Sequence, residues 1–231
     1  MRLTILIPFL FASTTVFSQS IQKFVIVDNR VDPGGMLDEI KLPPSGVHGT
    51  IYYEPEWNNG KVYLNSGQVL INFPIRYDVE NHQIEIKTRV VVKVCAWNQY
   101  SKFEWQSNFS KDSIVFVNSN QFIYSDGTPP IGAIRILYDG KIKLLAMPYV
   151  KILTSNYAPT VDIGNRDHKM VHRDAFLLQY RGLVTKFDSK KELLDIIGSK
   201  SQQLKKYMKK NNLKASKAED LTQAIEYLNT L

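Results

Sequence analysis

The sequence predicts an α+β protein: a mostly antiparallel β meander, forming a curved sheet or a partial barrel or sandwich, followed by a C-terminal bundle of three short helices. Three observations carry that prediction. Between Gly49 and about residue 186, apolar side chains alternate in short runs broken by Gly, Asn and Asp. After Phe187 the apolar spacing changes from the period of a strand to that of a helix. The chain has 231 residues, 44% hydrophobic and 11% aromatic, which is ample for a packed core.

The chain opens on Arg2 and a nearly unbroken apolar run over residues 3–12. Ser13, Thr14 and Thr15 dilute that run, and Val16-Phe17-Ser18 then puts small or apolar side chains three and one before a cut ahead of Gln19. This is the layout of a secretory signal peptide over residues 1–18. The run is shorter than the roughly 20 apolar residues that a membrane span needs. The expected mature chain is exported, to the periplasm or the outer membrane, with no transmembrane segment.

The β-rich domain is expected over residues 19–188, entered by a strand at 23–27 and a Pro43-Pro44-Ser45-Gly46 connection. Strands at 61–64 and 68–73 flank Asn65-Ser66-Gly67, and strands at 75–79 and 84–87 flank Glu80-Asn81-His82-Gln83. The β-branched run from Val90 to Trp97 reads as another strand. Asp139-Gly140 predicts a two-residue type I′ turn, which would pair Leu137 with Ile142 and Ile136 with Lys143. Residues 155–167 are polar and irregular and read as a connection.

The helical segment is expected over residues 189–231, docked on the β domain. Ser189-Lys190-Lys191-Glu192 is a capping box before Leu193, Leu194, Ile196 and Ile197, and Gly198 is the stop. Residues 201–211 put Leu204, Tyr207 and Met208 on one face of a second helix. Ser216-Lys217-Ala218-Glu219 reads as a second capping box, before Leu221, Ala224, Ile225 and Leu228.

Charge is concentrated in this tail. The whole chain carries a net charge of +7, and residues 189–217 alone hold nine lysines against Glu192 and Asp195. On a helical wheel Lys205, Lys206, Lys209 and Lys210 cover the face opposite Leu204, Tyr207 and Met208. That face suits an anionic partner or simple solvation. Nucleic acid is not expected, because no aromatic residues interleave the lysine stripe and the leader points away from the nucleoid.

Catalytic and metal signatures are absent from the sequence: no Gly-rich phosphate loop, no G-x-S-x-G elbow, no H-E-x-x-H pair. Cys95 is the only cysteine, so the fold does not depend on disulfides, and its apolar strand predicts a buried inert thiol. His168 and His172 could share a metal on a helix but not on a strand, where they would stand roughly 13 Å apart. Glu54 and Glu56 read as surface charges, and Trp57, Trp97 and Trp105 as packing residues or, less simply, a sugar-stacking platform. The expected sites are therefore the four lysines, with no catalytic residue, cofactor or metal.

The mature chain resembles uncharacterised exported proteins of the Bacteroidota. The residues that carry the likeness are Gly49-Thr50-Ile51-Tyr52, Trp57 with Gly60-Lys61-Val62, Arg76-Tyr77-Asp78, Asn81 with Glu85-Ile86-Lys87, Leu137-Tyr138-Asp139-Gly140-Lys141, the stretch from Leu204 to Leu213, and Glu226-Tyr227-Leu228-Asn229. The resemblance implies an envelope location and a β-rich body with a helical tail. Together these readings lead to a non-catalytic envelope protein that binds or scaffolds a protein, glycan or lipid. The alternative is a periplasmic carrier of a lipid or another apolar ligand, which an apolar cavity lined by strand residues would favour.

Overall fold

The computed structural model describes residues 25–28, 38–39, 47–154 and 168–231. The expected leader, the Pro43-Pro44-Ser45-Gly46 connection and the connection over residues 155–167 lie outside the described residues. The strands are β1 (Val25–Asp28), β2 (Asp38–Glu39), β3 (Val47–His48), β4 (Asn58–Leu64), β5 (Gln68–Asp78), β6 (Gln83–Lys87), β7 (Val92–Cys95), β8 (Tyr100–Gln106), β9 (Ser113–Asn118), β10 (Ile123–Tyr124), β11 (Ala133–Tyr138), β12 (Lys143–Leu153), β13 (His168–Tyr180) and β14 (Leu183–Phe187). They form one open sheet in the order β10-β14-β13-β12-β11-β9-β8-β4-β5-β6-β7-β2. Neighbours are antiparallel except for β10 on β14, and for β1 and β3, which pair parallel with β5 and β13 beside this path.

The order departs from a simple meander at β8, which pairs with β4 rather than β7. Four strand spacings of about 4.8 Å would hold β7 and β8 roughly 19 Å apart in a flat sheet. Yet only Ala96-Trp97-Asn98-Gln99 joins them, closed by a Gln99 N–H bond to the Ala96 carbonyl at 2.9 Å. A turn of that kind holds its ends within about 7 Å, so this half of the sheet curls. Inside the curl Phe103, Trp105 and Phe116 stack, with Tyr77 and Tyr100 against them. All five rings are buried. The Tyr77 hydroxyl crosses the core to accept from the Ala133 N–H of β11 at 3.1 Å.

Two expected strands prove to be one. β5 runs unbroken through Pro74, with Asn72 at φ 60° as the extra residue of a bulge opposite Gly60 and Lys61. Proline is tolerated because it lies beyond the residues paired with β1 and before those paired with β6, so no neighbour there needs its missing N–H.

The Asp139-Gly140 hairpin is also not the expected one. Ile136 pairs with Leu145 rather than Lys143, and a bulge falls at Leu137. The turn is held open by the last helix: Asn229 accepts from the Ile142 N–H and donates to the Ile142 carbonyl, both at 2.9 Å. Gly140 makes room for this, since a Cβ there would meet Asn229 Oδ1 at 2.8 Å. Asn229→Ala is therefore expected to destabilise the protein by about 2 kcal/mol, because it strands two half-buried backbone groups at once. Urea unfolding measures it, and an unchanged midpoint would refute the docking role.

The C-terminal helices number fewer than three separate ones. α1 (Lys190–Ile197), a 3-10 turn (Gly198–Lys200) and α2 (Ser201–Lys210) form one helical run of 21 residues, followed by α3 (Ala218–Thr230). Gly198 does stop α1, at φ 62°, but Ser201 is back at helical angles, so the glycine bends the run instead of ending it. At α1 the Ser189 cap forms as read, its Oγ accepting from Glu192 N, while the Glu192 carboxylate accepts from Asp188 N instead of Ser189 N. At α3 it does not. Lys217 is the N-cap with no side-chain bond, because the Asp220 carboxylate takes the Lys214 N–H at 2.8 Å and folds the preceding turn differently. The helices bury Leu193, Ile197, Leu204, Met208, Leu221 and Leu228 against Leu144, Leu178 and Phe187 of the sheet.

Candidate functional site

The α2 lysines stand where the wheel puts them. Leu204 and Met208 are buried, and Tyr207 stacks on Tyr227 of α3 with ring centres 3.9 Å apart. Lys205, Lys206, Lys209 and Lys210 are all exposed. None has an ion-pair partner among the described residues. Lys209 and Lys210 also sit in the last turn, where a positive charge favours the helix. The face is a fixed cationic surface.

Other residues raised by the sequence do not assemble into a site. His168 and His172 both lie on strand β13, too far apart to share an ion, and His172 Nε2 is engaged with the Thr50 carbonyl at 2.8 Å. Among the described residues no group of His, Cys, Asp or Glu is arranged to hold a metal. The three tryptophans are dispersed: Trp105 is in the core stack, Trp97 packs against that core, and Trp57 lies half-buried at the surface. Glu54 is not a surface charge. It accepts from Trp105 Nε1, Ser107 Oγ and Asn58 Nδ2 at 2.8, 2.6 and 2.9 Å, and so clamps its segment to the sheet.

Cys95 is fully buried, and burial pushes its thiol up to about 12. Burial likewise raises the Tyr52, Tyr77 and Tyr124 hydroxyls. Each of these groups holds its proton more tightly in the folded state. Their contribution to stability is thus complete below the unfolded values, near 8.5 for thiol and 10 for phenol, and is lost as pH rises toward the folded ones. The native protein is expected to leave Cys95 unreactive toward a disulfide reagent at pH 8. Its buried tyrosines should ionise only with alkaline unfolding; a thiol that titrates at once in the native protein would refute this.

Sequence reading missed the network around Arg76. Cross-strand pairing places Arg76 opposite Glu85 on the face away from the core. Arg76 Nε donates to Glu85 Oε2 at 2.6 Å, its Nη2 donates to Tyr52 Oη at 2.9 Å, and Tyr52 Oη donates to Glu85 Oε1 at 2.8 Å. The guanidinium also lies over the rings of Tyr52 and Trp57, 3.6 and 4.3 Å from their centres. The available signal was an Arg and a Glu placed symmetrically about residues 79–82, one position before the expected 80–83 turn.

Beside this network two clefts run along the outer face of β4 and β8. The larger, about 720 Å³, lies between Trp57, Lys87, Asn108 and Lys111; the smaller, about 330 Å³, lies between Lys61, Asn72 and Glu104. Asn59 and Gln106 line both, so the two adjoin. A further cleft of about 430 Å³ lies between Tyr53, His172, Asp174 and Ser216. Tyr53 Oη there accepts from Arg135 Nη1 at 2.6 Å. Among the described residues no helix is long and apolar enough to cross a membrane. Compared with known proteins, the chain matches no family model, no curated sequence and no solved structure.

Proposed function

We propose that this chain is an exported, non-catalytic protein of the cell envelope that binds or scaffolds an anionic envelope component, with the α2 lysines as its contact. The observation that carries the reading is the concentration of unpaired positive charge on one rigid helix face: four exposed lysines on α2, anchored from behind by Leu204, Tyr207 and Met208. The leader expected over residues 1–18 and the likeness to exported Bacteroidota proteins support an envelope role.

Two further features support binding over the other readings. The curled half of the sheet is filled by aromatic rings, and the clefts described above are lined largely by polar side chains, which suits a binding module better than a carrier of an apolar ligand. Ser107, the hydroxyl nearest a carboxylate in these clefts, is committed to structure: it donates to Glu54 and accepts from the Phe109 and Ser110 N–H groups. It is not poised as a nucleophile.

The test is retention of the purified chain on isolated envelope. Each lysine near an anionic surface contributes about 1 kcal/mol, so Lys205→Glu/Lys209→Glu should weaken retention at least tenfold while lowering the melting temperature only by the small helix-end cost of Lys209→Glu. Retention should also fall with salt. Equal retention of the double variant would overturn the lysine contact, and a co-purifying apolar molecule in native mass spectrometry would favour the carrier.

A further inference from the structure

We propose that the two adjoining clefts along β4 and β8 bind an acidic oligosaccharide, with a sugar ring against Trp57 and its carboxylates facing Lys87 and Lys111. This goes beyond the α2 contact. It rests on the envelope reading only for where such a polymer is met.

The groove's shape and lining select the ligand. Two clefts adjoining at Asn59 and Gln106 make a trough, which suits a chain of several units better than one compact molecule. The aromatic residues lining the trough are Trp57 and the buried Trp105, and four side-chain amides line it as well: Asn59, Asn72, Gln106 and Asn108. An amide offers both donors and an acceptor, the complement of a hydroxyl. The C–H face of a pyranose is apolar and weakly positive, which matches the negative face of an indole. Polar lining of this kind gives little to an apolar ligand.

Charge adds the acidic requirement. Lys61, Lys87 and Lys111 line the trough, against Glu104 alone. Glu104 is already engaged by Lys102 at 2.7 Å and by the Tyr63 hydroxyl at 3.0 Å, with Lys61 at 3.8 Å. Lys87 and Lys111 are exposed and have no ion-pair partner among the described residues. The Trp57 end of the trough is thus positive.

The platform is also rigid before any ligand arrives. Trp57 is backed by the Arg76 guanidinium, which Glu85 and Tyr52 fix in place. The Trp57 carbonyl accepts from Asn108 Nδ2 at 3.2 Å, and the neighbouring Asn58 is wholly buried. Across the trough, Lys111 sits at φ 64°, a left-handed conformation that a non-glycine residue adopts only at a cost. It is kept there by its N–H bond to the Ser107 carbonyl and by Gln106 Nε2 on its own carbonyl, both at 3.1 Å. The backbone that presents Lys111 and the ring of Trp57 are thus set before a ligand arrives, which removes part of the ordering cost of binding.

The experiment is titration of the full purified chain, followed by tryptophan fluorescence and calorimetry. The probes are an oligogalacturonate of four to six units, a neutral cello-oligosaccharide of similar length, and tripolyphosphate as an anion without a ring. Saturable binding of the oligogalacturonate is expected, at least tenfold tighter than either control. Lys87→Gln/Lys111→Gln should bring it down to the level of the neutral sugar, and Trp57→Ala should abolish it. Both lysines are exposed, so the lysine variant tests the site even if the tryptophan variant folds poorly. Lys205→Glu/Lys209→Glu should change nothing here, which separates failure of this site from failure of the α2 contact. Absence of saturable binding, binding unmoved by Lys87→Gln/Lys111→Gln, or tripolyphosphate binding as tight as the sugar acid would overturn the proposal.

Discussion

Phe103→Ala is expected to destabilise the protein by about 3–5 kcal/mol, a fifth or more of the roughly 5–15 kcal/mol that holds an ordinary domain folded. Phe103 has no exposed surface and sits at the centre of the aromatic core. Its ring centre lies 4.9 Å from Phe116, 5.1 Å from Tyr77, 5.2 Å from Tyr100 and 5.7 Å from Trp105. Four large flat neighbours cannot collapse into the space one ring leaves. The loss therefore combines transfer of the side chain from water with an unfilled cavity. Phe103→Leu keeps much of the volume and should cost far less, about 1–2 kcal/mol. Urea unfolding of the two variants measures the difference, and equal midpoints would show that the core is not packed as described.

Removal of one carboxylate should come next in size. Glu85 is 1% exposed, and its two oxygens are the acceptors for both Arg76 and Tyr52. Glu85→Ala leaves a guanidinium that is itself mostly covered, at 21% exposure, facing no counter-charge. Breaking a buried pair from one side typically costs 3–5 kcal/mol; the partial exposure of Arg76 puts this case near about 3 kcal/mol. The double change Arg76→Met/Glu85→Leu removes both charges and should be less damaging than Glu85→Ala alone. A double variant weaker than the single one would mean that the stacking of Arg76 on Tyr52 and Trp57, not the ion pair, holds the segment.

What could be read from the sequence was what neighbours in the chain decide between themselves. The turn at Asn65-Ser66-Gly67, the strand that buries Cys95 and the Ser189 cap depend on a few adjacent residues, and each stands as read. Where a distant residue intervenes, the local rule gives way. Asp139-Gly140 has the composition of a tight turn, but Asn229, 87 positions on, takes the backbone groups of Ile142 and opens it. Ser216 has the spacing of a cap, but Asp220 bonds elsewhere. Pro74 and Asn72 look like a break, yet the bulge opposite Gly60 and Lys61 carries the strand through.

The site residues divide the same way. The α2 lysines are legible because one helix presents them. The groove is not, because it exists only where β8 lies beside β4, and nothing local distinguishes that pairing from the expected one with β7. Glu54 and Trp57 were visible as residue types, but the groups that define their roles, Trp105 and Arg76, come from β8 and β5, further along the chain and on either side of β4.

The stretch from Thr50 to Trp57 is tied to partners far along the chain: Tyr53 to Arg135 across 82 positions, and Thr50 to His172 across 122. Those bonds form only after most of the polypeptide is present and gathered. Loop-closure entropy makes such contacts slow, and β-rich chains dominated by them fold in milliseconds to seconds. For a protein that we propose crosses a membrane before it works, slowness is an asset. Contacts that close over such long stretches leave the chain extended for longer, which suits the translocation we propose.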